Sequence, residues 1–371
     1  MSLWPDTIEL ADVSIPLADV LAELTIHHGR AGVFDDPTAT TCQLTLLDVE
    51  RELARDFRVG EPLTVTVTDG ASSSPRFTGR ITDATLAVDD LTMIAVGRLS
   101  TLNRYPVGLA PWPAEPWATR VGRIFAEAGL SSLLELHSDP DFDPMLAGRD
   151  PATAGETTLG DYLAFLAPMV GAAVTDRMDG RILVQALAAR SLLPAERLEP
   201  ADVAYAPAWL QVLPIGNVVT VRYTGDQSES VTLRDEASIG FYGEMPATID
   251  TTFVEQADAA TRAHERLARG AFSRWAIPEA PIVRGLDLQI GQAVELVSMP
   301  AASPWNPWRP LLEGWRDEIS GDDWQMTLAL SDPLSSGIGL PWTDVPTEYA
   351  WNEIDQAAPW REALTLEDVL P

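Results

Sequence analysis

Between Val20 and Leu99, apolar residues fall on every second position in several short runs: Leu44 and Leu46, then Leu63, Val65 and Val67, then Leu91, Met93 and Ala95. Successive side chains of an extended chain point to opposite faces, so each run predicts a strand with one buried face. Turn-forming clusters separate the runs at residues 29–32, Asp35-Asp36-Pro37, Asp69-Gly70 and Ser72-Ser73-Ser74-Pro75. That spacing predicts a small antiparallel barrel or sandwich over residues 1–104.

The pattern changes after Tyr105-Pro106. Val121, Ile124, Phe125 and Ala128 recur at helical spacing, and Gly129 ends the run. Thr158, with Asp161 three residues later, predicts a capped second helix carrying Leu159, Tyr162, Leu163 and Leu166. Asp179-Gly180 then separates two apolar runs and predicts a hairpin with a tight two-residue turn. Residues 105–200 thus predict a small α+β unit. Strand periodicity returns at Asn217–Tyr223 and Ser230–Leu233. An Ala-rich helix follows over about 253–270, with Asp258 and Arg262, and Glu265 and Arg269, four apart and placed to pair. Residues 201–334 predict a second β-barrel unit bearing that helix. Residues 335–371 have little periodicity and predict an extended acidic arm containing Trp and Pro.

The two β units share an ordered pattern. Val59-Gly60 precedes the strand Leu63–Val67 as Ile290-Gly291 precedes Val294–Val297. Phe77-Thr78-Gly79-Arg80 corresponds to Leu312-Glu313-Gly314-Trp315, and Asp89–Met93 to Asp322–Met326. The glycine separations, 79 − 60 = 19 and 314 − 291 = 23, and the Gly-to-Asp separations, 89 − 79 = 10 and 322 − 314 = 8, differ by loop-sized amounts. A duplicated β barrel accounts for this most simply, although any two antiparallel units share some such texture. The expected fold class is therefore α+β, mainly β: two similar antiparallel barrels with an inserted α+β unit and a C-terminal arm.

Composition narrows the function. At 371 residues, with 46% hydrophobic and 22% charged, the chain is long enough for more than one packed core. Acidic residues outnumber basic ones 55 to 25, a net charge of −30, which argues against a phosphate-binding surface. A single cysteine, Cys42, excludes an internal disulfide framework. The first ten residues lack the form of a secretory signal, and the longest apolar run, Leu163–Val174, is broken by Pro168 and short of the ~20 residues a bilayer requires. The expectation is a protein made in a cytoplasm, without a transmembrane segment.

In the order of its motifs the chain resembles the hub proteins of phage tails and related injection machines. The resemblance spans nearly the whole chain. It rests on Leu24–Arg30 with the Asp-Asp-Pro loop and Cys42–Leu46, on Phe77–Ile81, on the Asp179-Gly180 hairpin, and on Leu312–Trp315 with Trp324–Leu328. It implies two barrels per chain assembled as a homotrimer at the distal end of the virion's tail, after synthesis in the bacterial host cytoplasm. Six barrels in a ring would adapt a hexameric tail tube to a threefold tip. The implied partners are the distal tail or tube ring, the tape measure protein, and other tip proteins or fibres. DNA would pass only transiently, during genome ejection, and carboxylates lining a channel would let it slide; a generally acidic surface explains the charge as well.

Catalytic signatures are absent from the sequence: there is no His-Glu-x-x-His, no Gly-x-Ser-x-Gly and no phosphate-binding loop. No catalytic residue, cofactor or metal is expected, and the chain is read as a structural protein rather than an enzyme. The nearest metal pattern is Asp139, Asp141, Asp143 and Asp150, at positions 1, 3, 5 and 12 of a calcium loop, but position 6 is Pro144 and position 12 is not Glu. His27 and His28 are expected at a strand end, on a barrel edge or solvent face. In the arm, Trp342, Trp351 and Trp360 recur every nine residues as candidate partner-binding anchors, or as residues that fold back on the chain's own barrel. The alternative functions are a tail-associated cell-wall-degrading enzyme, which needs a paired acid and base in a cleft, and a carbohydrate- or receptor-binding module, which the tryptophans would suit.

Overall fold

A computed structural model describes residues 4–10, 13–16, 20–30, 38–47, 58–69, 72–153, 156–186, 189, 196–198, 209–211, 215–224, 228–272, 274–282, 288–296, 310–320 and 323–331. The N-terminal part forms β1 (Trp4–Leu10), β2 (Val13–Pro16), β3 (Leu21–Gly29), β4 (Thr41–Leu47), β5 (Pro62–Asp69), β6 (Ser72–Leu86) and β7 (Asp90–Val96). Then come β8 (Glu115–Pro116), helix α1 (Trp117–Glu127), β9 (Leu134–His137), β10 (Met145–Leu146), helix α2 (Leu159–Leu166), β11 (Ala173–Asp176) and β12 (Ile182–Gln185). The next stretch holds β13 (Glu196–Leu198), β14 (Trp209–Gln211), β15 (Val218–Thr224), β16 (Ser228–Arg234), helix α3 (Glu236–Tyr242), β17 (Pro246–Asp250) and helix α4 (Gln256–Gly270). Last are β18 (Arg274–Ile282), β19 (Val294–Leu296), β20 (Leu311–Ser320) and β21 (Asp323–Ser331).

Period-two patterning becomes one-sided burial as expected. Cys42, Leu44 and Leu46 on β4 and Leu91, Met93 and Ala95 on β7 are buried, while their sequence neighbours are less so. These faces meet Ile282, Met326, Leu328 and Leu330 of the C-terminal strands in one hydrophobic core. The fold is mainly β, as expected, but the two β units do not stand apart. They run together in a single curled antiparallel sheet of order β14-β18-β21-β20-β3-β4-β7-β6-β5-β1-β2. Within it one strand order occurs twice: β3-β4-β7-β6-β5 and β14-β18-β21-β20, the latter continued to β19 by a bridge between Ala293 and Leu311.

The duplication extends to hydrogen bonds. Gly60, at φ 96°, donates to the Ile81 carbonyl, and the Ile81 N–H donates to Glu61. Gly291, at φ 82°, donates to the Leu312 carbonyl, and the Leu312 N–H donates to Gln292. The spacing is the same, 81 − 60 = 312 − 291 = 21. One residue later each strand bulges, between Ile81 and Asp83 and between Leu312 and Gly314. The register therefore differs from the one the motifs suggest. Ile81 rather than Phe77 matches Leu312, so the strands align four residues away from the Gly79–Gly314 match. The two glycines recur for unrelated reasons. A Cβ at Gly79 would meet the Val96 carbonyl at 2.4 Å, and one at Gly314 would meet the His28 carbonyl at 2.4 Å.

A second core holds the α+β part. Helix α1 buries Val121, Ile124 and Phe125 and ends before Gly129, at φ 71°. Helix α2 is capped by Thr158, whose Oγ1 accepts the Asp161 N–H at 3.2 Å. The segment 215–272, which the patterning groups with the second barrel, instead places Val219, Val221, Phe253, Ala259 and Ala263 in this second core. Within α4 the buried Arg262 guanidinium turns away from Asp258. It donates to the Pro168 carbonyl at 2.9 Å and to Glu265 at 3.3 Å. The Asp179-Gly180 hairpin turns with three residues rather than two: Arg177 and Arg181 pair, and Gly180 sits at φ 81° in the bulge position.

Candidate functional site

The seam between the β units buries charged side chains. Strand β20 pairs with β21 on one edge, and on the other its residues from Gly314 to Ser320 pair antiparallel with Gly29 to Glu23 of β3. Gly29 and Gly314 lie opposite each other, and a Cβ on Gly29 would come within 2.3 Å of the Glu313 carbonyl. Only glycine admits that approach at φ 70°.

Asp317 lies at the centre of the seam, fully buried. Arg76, from β6 of the first unit, grips it in a two-pronged pair: Nε donates to Oδ2 at 3.1 Å and a terminal nitrogen to Oδ1 at 2.8 Å. The indole N–H groups of Trp315 and Trp324 donate to Oδ2 and Oδ1, each at 3.0 Å. The carboxylate thus accepts four hydrogen bonds, and the guanidinium lies over both indole rings, 5.5 and 5.4 Å from their centroids. Burial alone would push the Asp317 carboxyl up, yet the Arg76 guanidinium, above all, and the Trp324 indole donor hold it below the ordinary range. His28 stacks on Trp315 and is driven by burial to a pKa of about 3, so it is neutral. A second buried carboxylate, Glu313 on the bulge, accepts Arg30 Nε at 3.0 Å and Ser331 Oγ at 2.7 Å.

A third carboxylate ties the α+β part to the first β unit. Asp176, at the end of β11, accepts the backbone N–H of Thr40 at 3.0 Å and of Leu99 at 2.8 Å. Burial raises its pKa to about 6 against the lowering effect of those bonds. Beside it the hairpin tip packs on β6, where a Cβ on Gly180 would meet Thr78 at 2.9 Å. These three carboxylates fix parts of the chain to one another.

The residues singled out from the sequence fall elsewhere. His27 is exposed as expected, but His28 is buried in the seam, because β20 covers the strand end that would otherwise face solvent. Asp143 accepts the Ala118 N–H at the start of α1, and Asp139 accepts the Asp141 N–H. Among the described residues no group of three or more His, Cys, Asp or Glu is placed to hold a metal ion. Trp342, Trp351 and Trp360 lie outside the described residues. Among the described residues no helix is long and apolar enough to cross a membrane. Arg76, Glu313 and Asp317 do not stand out in the sequence. The available signal was that Glu313 and Asp317, two of the three carboxylates in Leu311–Ile319, share alternate positions with Trp315 and Ile319, which are core positions.

No protein-family model matches the sequence, and no curated protein matches it. Solved structures do match. A tail protein from Neisseria meningitidis superposes with a TM-score of 0.63 at 15% identity, over 88% of this chain and 95% of that one. The 43 kDa tail protein of prophage MuSo2 from Shewanella oneidensis gives 0.61 at 12% identity, over 90% and 98%. An Escherichia coli component of the type VI secretion system, itself described as similar to the T4 bacteriophage tail proteins gp27 and gp5, gives 0.54 at 10% identity, over 88% and 76%. The chain has the fold of these tail proteins.

Proposed function

We propose that the chain is a structural component of a phage tail tip: a homotrimeric hub in the virion, at the distal end of the tail. One observation carries the reading. A single strand order occurs twice in one continuous sheet, so each chain supplies two equivalent wall segments and three chains supply six. Such a ring would meet a hexameric tube ring on one face and a threefold tip on the other. The likeness in fold to tail proteins over nearly their full length supports the assignment.

In this reading the distal tail or tube ring, the tape measure protein and other tip proteins or fibres are the partners, and Trp342, Trp351 and Trp360 anchor the arm to one of them. DNA crosses the ring during ejection and is held off by carboxylates. The role is non-enzymatic: the buried carboxylates Asp317, Glu313 and Asp176 are engaged by Arg, Trp, Ser and backbone donors and hold segments together.

The test is the mass of the purified full chain in solution, together with electron microscopy of particles viewed down their axis. Three subunits with six lobes of density around a channel are expected. A species that stays monomeric at every concentration, or a ring of another order, overturns the reading.

A further inference from the structure

Among the described residues, strand β6 has an open edge that its counterpart β20 does not. In the second unit the Leu312 clasp ends and β3 takes over the same edge of β20 from Gly314 to Ser320. In the first unit the Ile81 clasp ends in the same way, but from Asp83 to Leu86 that edge carries no strand among the described residues. The Ala84 N–H closes locally on the Asp83 carboxylate at 2.7 Å, as an unpaired edge amide does.

Side-chain burial follows the same division. The offset between the units is 291 − 60 = 312 − 81 = 231, so Trp315, Asp317 and Ile319 correspond to Ala84, Leu86 and Val88. The first three are at most 5% exposed because the neighbouring unit covers them. Leu86 is 45% exposed and Val88 73%. Where the second unit has a covered seam, the first has, among the described residues, an open edge bearing exposed Leu86, with Val88 exposed in the turn that follows it.

The matching strand is also present. In the repeated order β14 stands where β3 stands, paired with β18 as β3 is with β4, and among the described residues it ends the sheet with its other edge open. Ile277 opposite Leu330 corresponds to Cys42 opposite Ala95. Counting back through the pairing of Trp275 with Leu210 puts Leu210 at the position of His28, which faces Trp315.

We propose that β14 of a second copy of the chain pairs antiparallel with the open edge of β6, with Leu210 opposite Ala84 and Trp209 opposite Thr85. One edge lies on the first unit and the other on the second, so the contact is head-to-tail, and it closes as a ring where each junction repeats the rotation of the β20–β3 seam. Three such junctions alternate with the three β20–β3 seams within chains. This rests on the trimer reading above and names the surface that builds it.

The experiment is disulfide trapping in the full chain. Opposed residues of an antiparallel pair lie about 4.5–5.5 Å apart at Cα, within the range a disulfide spans. The Ala84→Cys/Leu210→Cys double variant, oxidised and run without reductant, is expected to give covalent dimer and trimer bands. Neither single variant should, and the native Cys42 is buried. Leu86→Glu/Val88→Glu alters side chains already exposed in the isolated chain, so its circular dichroism and melting should match the parent while its mass in solution falls threefold. A wild-type trimer with no trapped species and an unshifted glutamate variant overturns this interface and leaves the trimer standing. Trapping through Ala84→Cys alone overturns head-to-tail pairing. A wild-type chain that is monomeric throughout overturns both.

Discussion

His28 on β3 lies directly opposite Trp315 on β20, their rings stacked 4.4 Å apart at 26°, although the two residues belong to different β units. The imidazole Nε2 is 3.6 Å from Asp317 Oδ2 and the site is closed to solvent. Joining the units therefore required burying a titratable ring, and that has a consequence in acid. The folded-state pKa of His28 is about 3 against 6.5 for the free side chain. Between those values the unfolded chain binds a proton that the folded chain does not, so stability falls as pH drops from 6.5 toward 3. Asp176, raised to about 6, acts in the opposite sense between pH 6 and 3.8 and partly offsets the loss. Asp317, held below 3.8, adds its own loss only in stronger acid. Urea denaturation of His28→Gln across this range should show a flatter acid limb than the parent, together with a loss of about 1 kcal/mol at neutral pH from the missing ring stack. An unchanged acid limb would remove His28 as the cause.

The Arg76–Asp317 pair should be costly to break from one side only. Asp317→Asn leaves a buried guanidinium uncompensated, with an expected loss of about 3–5 kcal/mol in unfolding free energy. Replacing both partners with apolar residues, as in Arg76→Met/Asp317→Leu, should recover part of that loss, because no buried charge is then left alone, although the Trp315 and Trp324 indole N–H groups lose their acceptor. Additive losses in the double variant would contradict this.

How much of this was legible in the sequence follows from what local pattern encodes. Alternation fixed which face of β4 or β7 is buried, and spacing with a cap fixed α1 and α2, because both depend on neighbours a few residues away. A strand's edge partner leaves no such local trace. Nothing near Ser320 says that it pairs with Glu23, and the two prongs of the Arg76–Asp317 contact link residues 241 apart. A buried carboxylate on a strand reads locally as an edge or a turn. The repeat was visible as recurring glycines, but each glycine answers a different close contact, so the motif found the duplication and missed its register by four residues at β6 and β20.

The glycines at the seam and at the clasps should therefore respond differently to alanine. At Gly60 a Cβ meets nothing within 4 Å, so Gly60→Ala carries only the positive-φ strain, about 1–2 kcal/mol. At Gly314 a Cβ would meet His28 and Arg30 backbone atoms at 2.4 to 2.8 Å, which neither strand can yield without opening the pairing. Gly314→Ala should cost about 3 kcal/mol and increase hydrogen exchange along both β3 and β20. Equal costs at the two sites would show that the seam is looser than its geometry.

Removing the Asp176 carboxylate should loosen the α+β part from the first β unit without unfolding either. Asp176→Ala leaves the Thr40 and Leu99 amides without their acceptor, about 1–3 kcal/mol for each buried donor left unpaired. The expected sign is faster hydrogen exchange at those two amides and around the 177–181 hairpin, with the α1 and α2 amides unchanged. Uniformly faster exchange would instead mean that the two cores unfold as one.

Charge sets the last expectation. Each chain carries a net charge of −30, so bringing three together gathers repulsion that the open β6 and β14 edges must overcome. That repulsion reaches about 30 Å at 0.01 M salt and about 8 Å at 0.15 M. Apolar and backbone contacts at the proposed edges are not weakened by screening, so association should tighten as salt is added, the reverse of an assembly held by surface ion pairs. Sedimentation of the wild-type chain at rising sodium chloride is expected to move from monomer toward trimer. In Leu86→Glu/Val88→Glu the same series should stay at monomer, because screening removes the long-range repulsion but restores no apolar edge. Dissociation of the wild type at high salt would mean that ion pairs, not the apolar edge, hold the copies together.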